Sequence, residues 1–175
     1  DVAVGSVEAD NVAGCRMALE HLYDRGCRRV LMLRGPDGHY FAEAMAAAAA
    51  PLARKFRQLD VRTTDYTAGA AETAVRQAFA RQRYDGIFGN DESALGAIRA
   101  LADLKINVPD TTRVIGFDDI PHAAHACPRL STVAIDKRQL GREAVAALVE
   151  MVRGNKNVET TRKIIRAKLV VREST

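Results

Sequence analysis

Two pairs of polar residues stand directly after short apolar segments, where their side chains could bind a hydroxyl-rich ligand. Asn90 and Asp91 follow the segment 85–89, and Asp118 and Asp119 follow the segment 113–117. An amide offers a donor and an acceptor, and a carboxylate accepts from two neighbouring hydroxyl groups, which matches a polyol or a sugar ring. The alternative for Asn90 and Asp91 is that they only cap a following helix.

The residues around these pairs predict parallel strands joined by helices. Segments 85–89 and 113–117 are short and apolar, as buried parallel strands are. Between them, apolar residues recur at helical spacing, namely Ala94, Leu95, Ile98, Leu101, Ala102 and Leu104. Open parallel sheets bind ligands beyond the carboxyl ends of their strands, so the two polar pairs mark the expected pocket.

The same alternation continues along the chain and predicts an α/β fold with a doubly wound parallel sheet. Further strands are predicted at 2–7, 30–33, 61–66 and 164–171, and further helices at 11–25, 42–50, 70–81 and 140–152. Asp10 or Asn11 can cap the first helix, and Gly26 ends it. The segment 128–133 is interpreted as a loop.

Composition is typical of a globular protein. The chain has 175 residues, of which 47% are hydrophobic and 27% charged. No apolar run approaches the roughly 20 residues that span a bilayer, and no export signal is recognised at the start. The net charge of +4 is spread along the chain, and its densest group, Arg25, Arg28 and Arg29, is interpreted as a solvated helix end. We therefore expect neither a membrane partner nor a nucleic-acid site.

Neither a metal site nor an enzyme is predicted. The three cysteines lack the spacing of a metal knuckle, so free thiols in a reducing cytoplasm are expected. His122 and His125 have no cysteine or carboxylate cluster nearby to complete a coordination shell, which favours a solvated loop or a subunit contact. The sequence has no nucleophile elbow, no phosphate-binding loop and no dinucleotide fingerprint, and we expect no cofactor.

Motifs spread over nearly the whole chain resemble the effector-binding core of lactose-repressor/galactose-repressor transcription regulators. Each piece is weak alone, whereas their order and spacing are specific. The later pieces are Asn90 and Asp91, Val108 and Pro109, 114–119, 128–133, Leu140 and Gly141, and 172–175. The front end agrees with Asp10, Gly14, Ala18, His21, Leu22 and 26–30, in which Cys27 replaces the usual histidine.

The resemblance implies a periplasmic-binding-protein-like (type I) fold, in which two lobes share a chain that crosses between them three times. On this basis, residues 1–25 and 135–155 are expected to belong to the N-terminal lobe. Residues 26–134 and 156–175 are expected to form the C-terminal lobe. The first lobe would then be incomplete in this chain.

The resemblance also implies site residues. It favours Asn90 and Asp118 as ligand contacts, with Asp91 preferred as a cap. Asp10 is a weaker candidate on the lip of the other lobe, with helix capping as its alternative. His39 and Tyr40 are expected to line the pocket.

This sequence departs from the family pattern at several of these positions. The arginine that contacts effector in the family aligns with Ala44, and the Gly-aromatic pair that follows it aligns with Ala47 and Ala48. A polar hinge position aligns with Ile135. Without the guanidinium, the pocket is expected to bind anionic or hydroxyl-rich ligands less well.

The implied function is the effector-binding and dimerisation region of a bacterial transcription regulator that responds to a small molecule such as a sugar or a related polar metabolite. The alternative is an exported solute-binding protein of the same fold. A cytoplasmic homodimer is expected, with subunit contacts at Ala94, Ala97, Leu101, Ile120 and Ala124. No helix-turn-helix is visible, so operator DNA would be contacted only through a headpiece outside this chain.

Overall fold

Strands and helices alternate along the computed structural model, which describes residues 5–153 and 162–175. The elements are β1 (Ser6–Ala9), α1 (Asn11–Asp24), β2 (Arg29–Arg34), α2 (Tyr40–Ala49), β3 (Gln58–Thr63), α3 (Ala68–Phe79), β4 (Gly86–Phe88), α4 (Asp91–Asp103), β5 (Arg113–Phe117), β6 (Ser131–Ile135), α5 (Lys137–Val152), β7 (Arg162–Ile165) and β8 (Ala167–Val170). Six of the strands form one sheet in the order β3-β2-β4-β5-β6-β8. In this sheet, β8 is antiparallel to β6, and the other pairs are parallel.

Helices cover both faces of this sheet, as the doubly wound fold requires. In β2, Val30 and Met32 join the core under α1 and α2, whereas Leu31 and Leu33 join the core under α3 and α4. Successive side chains of a strand point to opposite faces, so a strand buried on both sides must be apolar throughout. The predicted α/β architecture is therefore confirmed.

β1 and β7 form a separate two-stranded parallel sheet, against which α5 packs. No residue of α5 is buried, and four of its apolar side chains are exposed, namely Val145, Leu148, Val149 and Val152. Among the described residues, no helix is long and apolar enough to cross a membrane.

α1 belongs to the larger sheet rather than to the small one, which differs from the expected lobe boundary at residue 25. Its apolar side chains at Cys15, Ala18, Leu19 and Leu22 are fully buried in the core that includes Met32. The apolar stripe of a helix must be buried against a partner surface, and here that surface is the sheet formed by β4, β5, β6 and β8.

The end of the chain also differs from its predicted structure. The single strand predicted at 164–171 is two strands, because β7 pairs with β1 while β8 pairs with β6. The chain thus passes from the small sheet to the large one within two residues. The interpretation of 128–133 as a loop is wrong for residues 131–133, which are the first residues of β6 and pair with β5. The strand predicted at 2–7 is found at Ser6–Ala9, and residues 1–4 and 154–161 lie outside the described residues.

Candidate functional site

A cleft lies between the small sheet and the carboxyl ends of the strands in the large one. It contains two adjoining cavities of about 390 and 320 Å³, which share Glu8, Ala9, Asn11 and Tyr40. The first is also lined by Asp118, and the second by Asp10. The structure therefore brings together three of the predicted ligand-binding residues, Asp10, Tyr40 and Asp118.

Asp118 lines this cleft with a half-buried carboxylate. Within the described part of the chain, that carboxylate accepts no hydrogen bond, although the residue is only partly exposed. Burial raises the pKa of Asp118, and the nearby ammonium of Lys137 opposes the rise. A half-buried carboxylate without donors is a group that a hydroxyl-bearing ligand can satisfy.

The backbone of Asp118 is held in an unusual conformation by its neighbours. Its φ of 111° lies in the left-handed region that non-glycine residues rarely adopt. The Asp118 N–H donates to the Val133 carbonyl at 2.8 Å, and the Asp118 carbonyl accepts from the Lys137 ammonium at 2.6 Å. Next to it, Asp119 pairs with Arg172 at 2.7 Å. Strain of this kind persists where surrounding contacts fix the backbone, and it is concentrated at binding sites.

Asp91 is not the helix cap that the sequence suggested. Its carboxylate is fully buried, where it accepts hydrogen bonds from the Thr132 hydroxyl at 2.6 Å and from the Ile120 N–H at 2.8 Å. It thereby joins the start of α4 to β6 and to the loop after Asp119. Burial raises the pKa of Asp91 to about 6, although both hydrogen bonds oppose the rise. Its position is one residue too late to cap α4, because Asp91 is already the first helical residue.

Asn90 takes the capping role instead. Its side-chain oxygen accepts from the Ser93 N–H at 3.2 Å, and its amide nitrogen lies 3.5 Å from the Tyr66 carbonyl. Asn90 does not line either cavity of the cleft. Asn90 thus caps α4 through its side-chain oxygen, and the ligand contact at Asn90 stays a prediction.

Aromatic rings form one wall beside the cleft. The rings of His39 and Tyr40 lie 4.6 Å apart, and His39 lies 4.9 Å from Tyr66 in an edge arrangement. His39 itself caps α2, because its Nδ1 accepts from the Phe41 N–H at 3.3 Å. Tyr66 was not predicted. A Cβ at Gly35 would lie 2.0 Å from its ring, so the glycine leaves the space that the tyrosine occupies.

The second cavity of the cleft is lined by residues of β1 and β7, by the start of α1 and by one side of α2. Asp10 caps α1 by accepting from the Ala13 N–H at 3.1 Å, so the capping alternative holds while the residue also lines the cavity. Ala44 and Ala47 line the same cavity, whereas Ala48 is buried in the core. Ala44 and Ala47, which depart from the family pattern, thus leave open space in this cavity.

Lys137 and Glu8 are cleft residues that sequence reasoning missed. Lys137 follows β6, so recognition of that strand would have placed it at a carboxyl end with Asp118. Glu8 forms a salt bridge with Arg162 of the neighbouring strand at 2.8 Å. The pKa of Glu8 is lowered by its hydrogen bonds from Ser6 and Arg162.

Charge in the cleft is predominantly negative. Four carboxylates line the two cavities against two cations; the carboxylates are Glu8, Asp10, Glu43 and Asp118, and the cations are Lys137 and Arg162. When the ion pair of Glu8 and Arg162 is set aside, the carboxylates of Asp10, Glu43 and Asp118 remain against the single cation Lys137. Such a lining repels anionic ligands and offers acceptors to neutral molecules with hydroxyl groups.

Three of the predicted subunit contacts are wrong. Ala94, Ala97 and Leu101 have no exposed surface, because they pack inside this chain between α4 and the sheet. They face the core since the apolar stripe of α4 covers β4 and β5. Ile120 and Ala124 remain partly exposed on the loop. His122 and His125 are exposed there, and the described residues contain no cluster of three or more potential metal ligands.

Comparison with known proteins identifies the fold and the family. Residues 19–175 match the family model of the periplasmic binding protein-like domain. The chain is 32% identical over 172 residues to a ribose operon repressor of Halalkalibacterium halodurans, covering 97% of this chain and 52% of that protein. It is 26% identical over 181 residues to the transcriptional repressor CytR of Escherichia coli, covering 100% and 53%.

Solved structures agree with these relatives. A complex of the transcriptional regulator CelR with cellobiose superposes with a TM-score of 0.90 at 29% identity, covering 99% of this chain and 54% of that one. The Lac repressor bound to ONPG superposes with a TM-score of 0.91 at 25% identity, covering 99% and 53%. The chain spans about half the length of the curated relatives it matches. The chain therefore belongs to the periplasmic binding protein-like domain family, and its relatives are transcription regulators of the lactose-repressor/galactose-repressor type.

Proposed function

We propose that this chain is the effector-binding region of a bacterial transcription regulator, acting in the cytoplasm. The observation that carries the proposal is the half-buried carboxylate of Asp118 in a cleft between two sheets, which accepts no hydrogen bond from the described residues. The relatives support it, because they are transcription regulators rather than enzymes. They also favour a regulator over an exported solute-binding protein, the alternative within this fold.

The proposed effector is a neutral sugar or a related polar metabolite. The negative lining disfavours anions, and the aromatic wall at Tyr40 offers an apolar surface to a ring. Ala44 stands where the family pattern has a bidentate arginine donor, so the cleft lacks the guanidinium that would bind an anion there. Two related structures are complexes with cellobiose and with lactose, which supports a saccharide as the ligand class for this chain.

Ligand binding would act by drawing the two sides of the cleft together. We propose that β1, β7 and α5 belong to the first lobe, and that the exposed apolar face of α5 packs against the rest of that lobe in the longer protein. The contact between Lys137 and the Asp118 carbonyl joins the two sides. A ligand that binds both sides would shift the population toward closed forms.

Assembly and DNA binding belong to the proposed whole protein. We propose a homodimer with the loop residues Ile120 and Ala124 at the subunit contact, and operator binding through a headpiece outside this chain. Closure in each subunit would change the spacing of the two headpieces on a palindromic operator. Sequencing upstream of the coding region for this chain distinguishes the two alternatives, because a helix-turn-helix supports the regulator and a signal peptide supports the exported protein.

The ligand site is tested by Asp118→Ala, with Asp110→Ala as the matched control. Asp110 is an exposed carboxylate that lines neither cavity. Wild type and variants would be titrated by calorimetry against a panel of neutral mono- and disaccharides and nucleosides. Removing a charged hydrogen-bond partner should weaken binding by about 1.5 to 3 kcal/mol, or roughly 10- to 150-fold, in Asp118→Ala alone. Undiminished affinity in that variant would move the binding site elsewhere.

A further inference from the structure

A second depression lies at the opposite end of the large sheet from the cleft. It has a volume of about 600 Å³ and is formed where β2, β4 and β5 begin. The cleft lies at the carboxyl ends of the same strands, so the two are separated by the length of the sheet. The depression is large enough for a small-molecule ligand.

Five cationic side chains from separate connections converge on this depression. Arg28 and Arg29 lie between α1 and β2, and Arg57 precedes β3. Arg83 precedes β4, and Lys105 follows α4. Residues from four different turns of the chain therefore build one positively charged surface, which their separate positions in the sequence did not reveal.

Asp85, whose carboxylate lines the depression, is already used. Asp85 accepts from the Arg28 N–H at 2.9 Å and from the Arg29 N–H at 2.8 Å. These backbone donors fix the turn before β2 and leave the guanidinium groups unpaired with Asp85. The negative charge of Asp85 therefore offsets only part of the surrounding positive charge.

Four of the cations have no acidic partner among residues 5–153 and 162–175. Arg28 is occupied, because its guanidinium donates to the Tyr23 and Cys27 carbonyls and lies 4.0 Å from the centre of the Tyr23 ring. By contrast, no carboxylate in the described part of the chain forms an ion pair with any of the remaining four, which are Arg29, Arg57, Arg83 and Lys105.

Helix dipoles account for only part of this charge. The carboxyl ends of α1, α3 and α4 point toward this end of the sheet, and cations near such ends are stabilising. Each helix end contributes about half a negative charge, so the three offset about one and a half. Together with Asp85 they leave an excess of positive charge, and a concave surface concentrates that charge on a bound anion.

We propose that this depression binds a small polyanion that carries two or more phosphate groups. Guanidinium groups match phosphate oxygens in pairs, and Arg29, Arg57 and Arg83 supply three of them around one cavity. Lys105 adds a point charge, and the exposed Thr111 in the wall supplies a hydroxyl donor. The shape favours a small ligand over nucleic acid, because a duplex is contacted by an extended basic stripe, whereas these cations surround a single depression. The site is independent of the cleft, whose lining is negative.

The test uses inorganic pyrophosphate and tripolyphosphate as probes. Calorimetry at physiological ionic strength would compare the wild-type chain with Arg57→Gln/Arg83→Gln and with the control Arg16→Gln/Arg142→Gln. Both double variants remove two exposed arginines, but Arg16 and Arg142 lie outside the depression. Amide chemical shifts recorded during the titration would locate the bound probe.

The expected result is saturable binding of both probes with shifts confined to the turns that form the depression. The dissociation constant should rise at least about tenfold in Arg57→Gln/Arg83→Gln and by less than about twofold in the control. Equal losses in the two variants would show attraction to net charge alone and overturn the proposal. Absence of binding at millimolar probe, or tighter binding of a random-sequence DNA duplex than of tripolyphosphate, would also overturn it.

Discussion

Replacing Asp91 by Asn is expected to stabilise the protein at neutral pH and to remove a specific part of its pH dependence. The carboxylate of Asp91 is fully buried and accepts from the Thr132 hydroxyl and the Ile120 N–H. An asparagine can keep both bonds, because its oxygen accepts from Ile120 while its amide donates to the Thr132 oxygen. The substitution therefore removes the buried charge and retains the connection.

The magnitude follows from the raised pKa. Burial raises the pKa of Asp91 from an ordinary 3.8 to about 6 in the folded protein. The folded state then holds a proton between about pH 4 and pH 6 that the unfolded chain has lost, so the contribution of Asp91 to the free energy of unfolding falls as pH rises. A difference of about two pKa units corresponds to about 3 kcal/mol. The stability of Asp91→Asn relative to wild type should therefore increase by about that amount from pH 4 to pH 7.

The assay is urea denaturation of wild type, Asp91→Asn and Asp91→Ala between pH 4 and pH 7.5. Taking the difference between variants cancels the titration of distant groups. Asp91→Ala should be less stable than Asp91→Asn by about 2 to 6 kcal/mol, because two donors lose their acceptors at about 1 to 3 kcal/mol each. A difference between wild type and Asp91→Asn that stays constant with pH would refute the raised pKa. Equal stability of the Ala and Asn variants would refute the role of the hydrogen bonds.

Three further predictions concern the core. Leu101→Ala should lower the free energy of unfolding by about 2 to 5 kcal/mol in urea denaturation, because Leu101 is fully buried within one chain. For the same reason, it should leave the sedimentation behaviour of the folded fraction unchanged. Gly96→Ala should cost about 1 to 3 kcal/mol in the same assay, since a Cβ there would lie 2.1 Å from a carbonyl oxygen of α3. In a Cys127→Ser background, Cys15 and Cys27 should react with a thiol reagent only on unfolding. Burial raises the pKa of both thiols, that of Cys27 to about 11, so neither is a thiolate at neutral pH. Rapid reaction in native buffer would contradict this.

The sequence by itself determined the fold class and the end of the sheet at which the cleft lies. Continuous apolar runs such as 30–33 and helical spacing such as that of α4 are local patterns, so they can be read without tertiary information. Asp118 was likewise placed correctly, because the residue that follows a strand in the sequence must lie at the carboxyl end of that strand. The predicted pocket residues Asp10, Tyr40 and Asp118 do come together.

Tertiary structure alone decided what each polar side chain does. Asn90 and Asp91 are adjacent and chemically similar, yet only the packing of β6 and the loop against α4 shows that Asp91 is buried while Asn90 is the cap. The sequence of α1 does not show which lobe the helix belongs to, because its apolar stripe could pack against either sheet. Arg29, Arg57, Arg83 and Lys105 are scattered in sequence, and only the winding of the chain gathers them at one end. Such outcomes depend on contacts between distant segments, which periodicity and spacing do not encode.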